Sequence, residues 1–410
     1  MGKSFLEGKT GVKLIFSSLV IAAGTGLILR LAPFLDFDFN HYNLLQAHSH
    51  LAFLGWVFSA LIWLVNRFLI RDLFSSKVFR IWFFAELALS FLIFISFLLF
   101  GYSKLPVALL SIHTLIAYWG LIRIYRKSHI LAESTKIPLR LGVVGFFISS
   151  LGPILIPLIQ KGIILEGESI KIGINLYLHF HYNAWFIFTL VAVLFSYFEL
   201  KQIAVLGKNY KLGLSLMFGS LFISYFDSLY WLSFPEWTEY VFFLSSAVQL
   251  LGFYMLIVPV LKSVMFSEGL FEKALKIVLM LILMVWESKY LFELTVNIPF
   301  QPWFNVGNHF LQVAYLHWVF LGIVTPMIIF LLQELKFLPR LKIYNIFFWS
   351  GWLGSEMILI LMGLGIMLPN SMLWLAGYSV LMFVAFFALL VKEVWINPKI
   401  WGLNFFSRQK

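Results

Sequence analysis

The chain has 410 residues, of which 61% are hydrophobic and 12% charged, with a mean hydropathy of +0.92. A soluble domain carries about a quarter charged residues, so the composition excludes one and points to a chain that is mostly transmembrane. The chain contains no cysteine, which excludes disulfides, thiolate metal ligands and cysteine-based catalysis.

Met1 to Lys13 is polar and basic and lacks the pattern of a cleavable leader, and the first apolar run is long enough to span. Apolar runs of about 20 residues mark spanning helices. Twelve are predicted, over about 12–33, 48–70, 79–101, 105–124, 141–160, 173–198, 211–232, 240–262, 274–294, 306–333, 343–367 and 371–391. Basic connecting segments alternate with acidic or nearly uncharged ones. With the N-terminus inside, 25 of the 30 Lys and Arg fall on the cytoplasmic side, and Arg30, Lys104, Lys161, Lys171 and Lys289 fall on the other. This asymmetry predicts that both termini are cytoplasmic. The net charge of +11 therefore reflects topology rather than nucleic-acid binding.

The longest outer loops are expected at about 34–47, with Asp36 and Asp38, at 161–172, with Glu166 and Glu168, and at 295–305, rich in Pro, Phe and Trp. None is long enough for a soluble domain. The second, sixth and tenth spans all run from outside to inside, and each carries a histidine near its outer end: His50, His181 and His317. Two share a tail, His50-Leu-Ala-Phe-Leu-Gly55 and His317-Trp-Val-Phe-Leu-Gly322. The reading is an all-α polytopic protein with three pseudo-repeats of four helices, at about 1–140, 141–272 and 273–410. Sites often form between such repeats.

Six of the nine histidines fall in three clusters: His48 and His50, His179 and His181, His309 and His317. Imidazole is a common ligand for iron, copper and zinc, and inside a membrane an ionisable side chain is costly unless paired or functional. Positions i and i+2 on a helix differ by about 200°. His48 and His50 are therefore expected on opposite faces, and so are His179 and His181. His309 and His317 lie about 12 Å apart along the axis. The bland alternative is a set of interfacial histidines bonded to backbone or water. His113, in the fourth span, is either a ligand or a satisfied core histidine, while His41 and His129 read as solvated.

These residues resemble subunit I of the heme–copper oxidase superfamily. The likeness lies in twelve helices with cytoplasmic ends, histidines on helices 2, 6 and 10 towards the outer face, and the segment Ala47-His48-Ser49-His50-Leu51-Ala52-Phe53-Leu54-Gly55-Trp56. That segment is similar to the helix-2 motif of the nitric-oxide-reductase and cbb3-type oxidase branches. The resemblance implies a b-type heme held by His48 or His50 with His309 or His317, with Arg30 beside it. It also implies a second metal, copper or non-heme iron, facing His179 or His181, for which His113 is a further candidate ligand. A quinol or a partner cytochrome would donate electrons, and the membrane would be the bacterial inner membrane. The chain departs from the pattern in the seventh span, which offers Tyr225, Asp227 and Tyr230 but no histidine pair, and before the last span, where Leu368-Pro369-Asn370-Ser371 lacks an arginine pair.

Carboxylates within spans are expected to face a bundle interior or a water path. Glu86 and Glu356 are candidates for proton transfer, with Asp227 either on that path or a partner for a histidine. Lys289 and Glu293 are spaced for an ion pair. The leading expectation is binding or reduction of oxygen or nitric oxide. The alternatives are a non-catalytic heme or metal sensor or carrier, and a transporter with a histidine proton or metal relay.

Overall fold

The computed structural model describes residues 2–35, 39–69, 76–160, 170–202, 207, 209–229, 231–232, 234–266, 273–299 and 308–395. Asp36, Asp38, Arg71, Lys161, Glu166, Glu168 and Tyr230 lie outside them. The described residues are helical throughout, with short turns and no strand. Ten helices are long and apolar enough to cross a membrane: α1 (Thr10–Phe34), α2 (His41–Leu69), α3 (Lys77–Phe100), α4 (Lys104–Ile130), α5 (Glu133–Ile156), α6 (Ile170–Leu200), α8 (Trp237–Met265), α10 (His309–Glu334), α11 (Lys342–Gly363) and α12 (Ser371–Lys392). Two further helices, α7 (Tyr210–Asp227) and α9 (Lys273–Val296), do not count among these ten. The latter carries Glu287, Lys289 and Glu293, which lowers its apolar character.

Three helices form the interior. In the most apolar stretches of α2, α6 and α10, 78%, 89% and 72% of residues are buried, against 28% to 44% in the other seven apolar spans. Apolarity does not set these three apart, because α3, α8 and α12 are more apolar; their polar residues, such as His48, His181, Asn183 and Thr325, need protein neighbours rather than lipid. The three helices meet at an aromatic triangle. Phe53 of α2 lies 4.4 Å from Phe320 of α10 and 5.8 Å from Phe186 of α6, and the last two are 5.4 Å apart. Trp56 of α2 donates its indole N–H to Thr325 Oγ1 of α10 at 2.9 Å. In lipid, where apolar surface gives no preference for another helix, such close packing and interhelical hydrogen bonds supply the association.

Each interior helix also widens at the same place. A π-helical segment runs over Leu51–Phe58 in α2, His181–Phe186 in α6 and Trp318–Val324 in α10. His50 and His317 immediately precede their segments, and His181 opens its own. Every π-turn holds an extra residue, which shifts the angular positions of the side chains around it. Such turns concentrate at functional sites. Inside α2 the hydroxyl of Ser59 donates to the Leu54 carbonyl five residues back, at 3.0 Å.

The helix ends differ from those expected. Both α2 and α10 begin with a histidine. Asn40 caps α2 by accepting from Asn43 N at 3.0 Å, and Asn308 caps α10 by accepting from Phe310 N at 2.9 Å. An Asn side chain satisfies one of the four orphan N–H groups of a helix start. His41 is therefore the first helical residue of α2, exposed, rather than a loop residue.

Candidate functional site

The i, i+2 pairs divide between compartments that surround the three interior helices. The first lies between α1, α2, α10 and α11. His48 enters it from α2, donating its Nδ1–H to the Ala22 carbonyl of α1 at 2.8 Å, with Thr25 Oγ1 at 3.3 Å. Gly26 makes room for the ring, since a Cβ there would sit 2.9 Å from His48 Cε1. His317 enters from α10, its Nδ1 facing Glu356 Oε1 of α11 at 3.5 Å, beyond a good hydrogen bond. Arg30 is half-buried and lies within electrostatic reach of His48, His317 and Glu356.

A second compartment lies between α2, α3, α4, α5 and α6. His50 donates its Nδ1–H to Gln46 O at 2.8 Å and stacks on Phe97 at 4.2 Å between ring centres. His181 bonds through Nδ1 to Ser149 Oγ of α5 at 3.1 Å, and Tyr177, Phe146 and Phe186 surround its ring. His113 of α4 sits 3.1 Å from Glu86 of α3, both almost fully buried, without the alignment of a hydrogen bond. Among the described residues the Trp82 side chain also lies close to Glu86, and His181 Nε2 is buried without a hydrogen-bond partner. Burying a polar group unpaired costs roughly 1–3 kcal/mol, so this cluster marks the compartment as something other than plain packing.

A third compartment lies between α6, α7, α8, α9 and α10. It contains a cavity of about 430 Å³. His179 faces it after donating its Nε2–H to the Leu221 carbonyl of α7 at 2.9 Å. Asp227, at the end of α7, lines the same cavity, as do Glu293 and Tyr315. Glu293 pairs with the buried Lys289 at 3.0 Å and accepts the Tyr315 hydroxyl.

The expected residues therefore separate. His48, His317 and Arg30 come together, with Glu356 beside them. His50, His113, His181 and Glu86 share the second compartment, and His179 and Asp227 share the third. His309 stands exposed at the start of α10, away from these groups. The expected second-metal set of His113, His179 and His181 is split, because His179 and His181 point to opposite sides of α6. Among the described residues, no group of three or more His, Cys, Asp or Glu is arranged to hold a metal ion.

A common geometry runs through four of the rings. His48, His50 and His181 commit Nδ1 to a backbone carbonyl or a hydroxyl, and His317 turns Nδ1 towards a carboxylate. In each case Nε2 has no partner among the described residues. Metal-ligating histidines show this arrangement: one nitrogen is fixed by a second group, which sets the tautomer and leaves the other lone pair for the metal. The partners Thr25, Ser149 and the Ala22 carbonyl carried no distinguishing sequence signal, because Ser and Thr recur along every span.

The chain matches no family model and no curated protein.

Proposed function

We propose that the chain is a heme-binding redox protein of twelve membrane spans, arranged as three groups of four helices. The observation that carries this is the compartment in which His48 and His317 converge with Arg30. Two histidines from different interior helices enter it, His48 with Nδ1 fixed on the Ala22 carbonyl and His317 with Nδ1 3.5 Å from a Glu356 oxygen, and neither Nε2 has a partner among the described residues. A heme takes one or two axial imidazoles, whereas a structural or catalytic zinc takes three or four protein ligands. Two free imidazole nitrogens without a three-ligand group fit the heme better than a bare metal ion.

In this reading His48 and His317 would hold the heme, Arg30 would offset negative charge on it, and Glu356 would orient His317. A b-type heme there would supply one-electron transfer. The resemblance to heme–copper oxidase subunit I extends the proposal to binding or reduction of oxygen or nitric oxide, with electrons from a quinol or a cytochrome. In this reading the protein sits in a bacterial inner membrane, and the Lys and Arg asymmetry supports cytoplasmic termini with the histidine layer near the outer face.

A second reading is a non-catalytic heme sensor or carrier, favoured by the lack of a histidine on α7 and of a three-ligand group among the described residues. The test is an optical spectrum with iron analysis on protein purified from heme-replete cells. The proposal predicts a Soret band, reduced α bands and stoichiometric iron. A colourless, iron-free protein contradicts both readings, and turnover of oxygen or nitric oxide with an electron donor separates them.

A further inference from the structure

One charged side chain deep in the helices belongs to none of the three compartments. Among the described residues, Glu86, Lys289 and Glu356 are almost fully buried, and Asp227 and Glu293 line the third cavity. Glu287 of α9 does neither. It is half-buried and accepts one hydrogen bond, from the Tyr254 hydroxyl of α8. Its other carboxylate oxygen has no partner among the described residues.

The flanking residues show where the pair lies. Glu287 stands where two faces of α9 meet: Met284 and Leu291 on one side are exposed, and Leu283 and Tyr290 on the other are buried. Tyr254 stands on the same border of α8, between exposed Leu251 and Val258 and buried Phe253 and Ile257. The two helices are closed beneath the pair, where the Phe253 ring lies 5.6 Å from Trp286 and 5.0 Å from Tyr290. The pair therefore sits in a groove between α8 and α9 that opens on the apolar outer surface, with Met284 59% and Leu251 49% exposed at its rims. At 1.5 Å per residue Glu287 lies about 21 Å from Lys273 and about 14 Å from Val296, the ends of α9. Tyr254 is similarly distant from both ends of α8. This depth falls within a hydrocarbon core of about 30 Å.

A carboxylate at such a depth normally faces a bundle interior or a water-filled cavity, paired. One hydroxyl donor leaves half of this one uncompensated. We infer that the α8–α9 groove docks a transmembrane helix of another protein that carries a Lys or Arg at mid-depth, which completes the Glu287 carboxylate while Met284, Leu291, Leu251 and Val258 pack against its neighbours. Close packing and interhelical polar contacts are what associate helices in lipid. Charge selects this occupant. A second copy of the chain has no matching donor, because its described Lys and Arg lie near helix ends apart from Lys289, which is buried and paired with Glu293. A lipid ammonium stays at the headgroup level, above this depth. The inference rests on α9 as a span, part of the twelve-span reading, and not on the heme.

The experiment uses the full chain in lipid nanodiscs and two fluorescent probes: a Leu/Ala helix of about 20 residues with one central Lys, and the same helix with Leu there. Energy transfer from the labelled chain reports association. The Lys helix is expected to bind about tenfold more tightly, as one interhelical polar pair allows in lipid. Glu287→Gln and Glu287→Leu are expected to remove that preference with the unfolding midpoint retained. Equal binding of the two helices to the wild-type chain overturns the inference, and that comparison needs no variant to fold. A chain that dimerises without either probe, and is monomeric as Glu287→Leu, also overturns it and gives the groove to a second copy. The span is tested apart. A lipid-soluble carbodiimide, which adds the carboxyl O–H across its C=N bond with nothing leaving, is expected to label Glu287 and the Lys helix to protect it. Labelling by a water-soluble carbodiimide alone contradicts the depth of α9. Heme absorbance recorded on the same sample tests the proposed function separately.

Discussion

At the residue scale the account turns on which nitrogen of each histidine is committed. The His-x-His spacing was enough to place His48 and His50 on opposite faces of a helix, and the structure shows them bonded to α1 and stacked on α3 respectively. The partners were not legible. The Ala22 carbonyl that fixes His48 has no side-chain signature, and Gly26, which accommodates its ring, is one of 27 glycines. That glycine gives a sharp test. In Gly26→Ala the new Cβ would stand 2.9 Å from His48 Cε1 and 3.3 Å from Nδ1, so the ring must turn and its bond to Ala22 must weaken. Loss of such an outer partner costs about 10- to 100-fold in affinity at metal sites. Heme affinity of the purified variant, titrated with hemin, is expected to fall by that order while both ligands remain. Unchanged affinity speaks against His48 as a ligand.

Elements add a second layer. The shared histidine placement singled out α2, α6 and α10, but not their interior position, since α3, α8 and α12 are more apolar. The π-helical segments were hidden too, because an extra residue per turn leaves no mark on composition. The packing of α5 on α6 was also hidden. It depends on Gly145, where an added Cβ would fall on the Ala184 side chain and 3.1 Å from Trp185 N. Closely packed interfaces lose about 1–3 kcal/mol when overfilled. Gly145→Ala is therefore expected to lower the denaturation midpoint of the purified protein in a detergent or thermal melt. It should also loosen the second compartment, where Ser149 on α5 holds His181. A midpoint equal to that of the wild type contradicts this close approach.

At the scale of the whole molecule, three interior helices separate three compartments, and each compartment has its own chemistry. The first has two imidazoles beside an arginine. The second has Glu86 and His113 buried face to face, with His181 in the same compartment. The third is a cavity of about 430 Å³ lined by His179, Asp227 and Glu293. Composition made the all-helical, multi-pass membrane architecture legible. The division into compartments arises from tertiary placement of residues more than 100 positions apart and was not. The most direct measurement of the central claim is the reduced-minus-oxidised spectrum of His48→Ala and His317→Ala, each purified beside the wild type with iron content determined. The account predicts that either substitution alone removes the same low-spin heme signal, because the two rings share one heme. Persistence of that signal in either variant, or its loss from only one of them, contradicts the account.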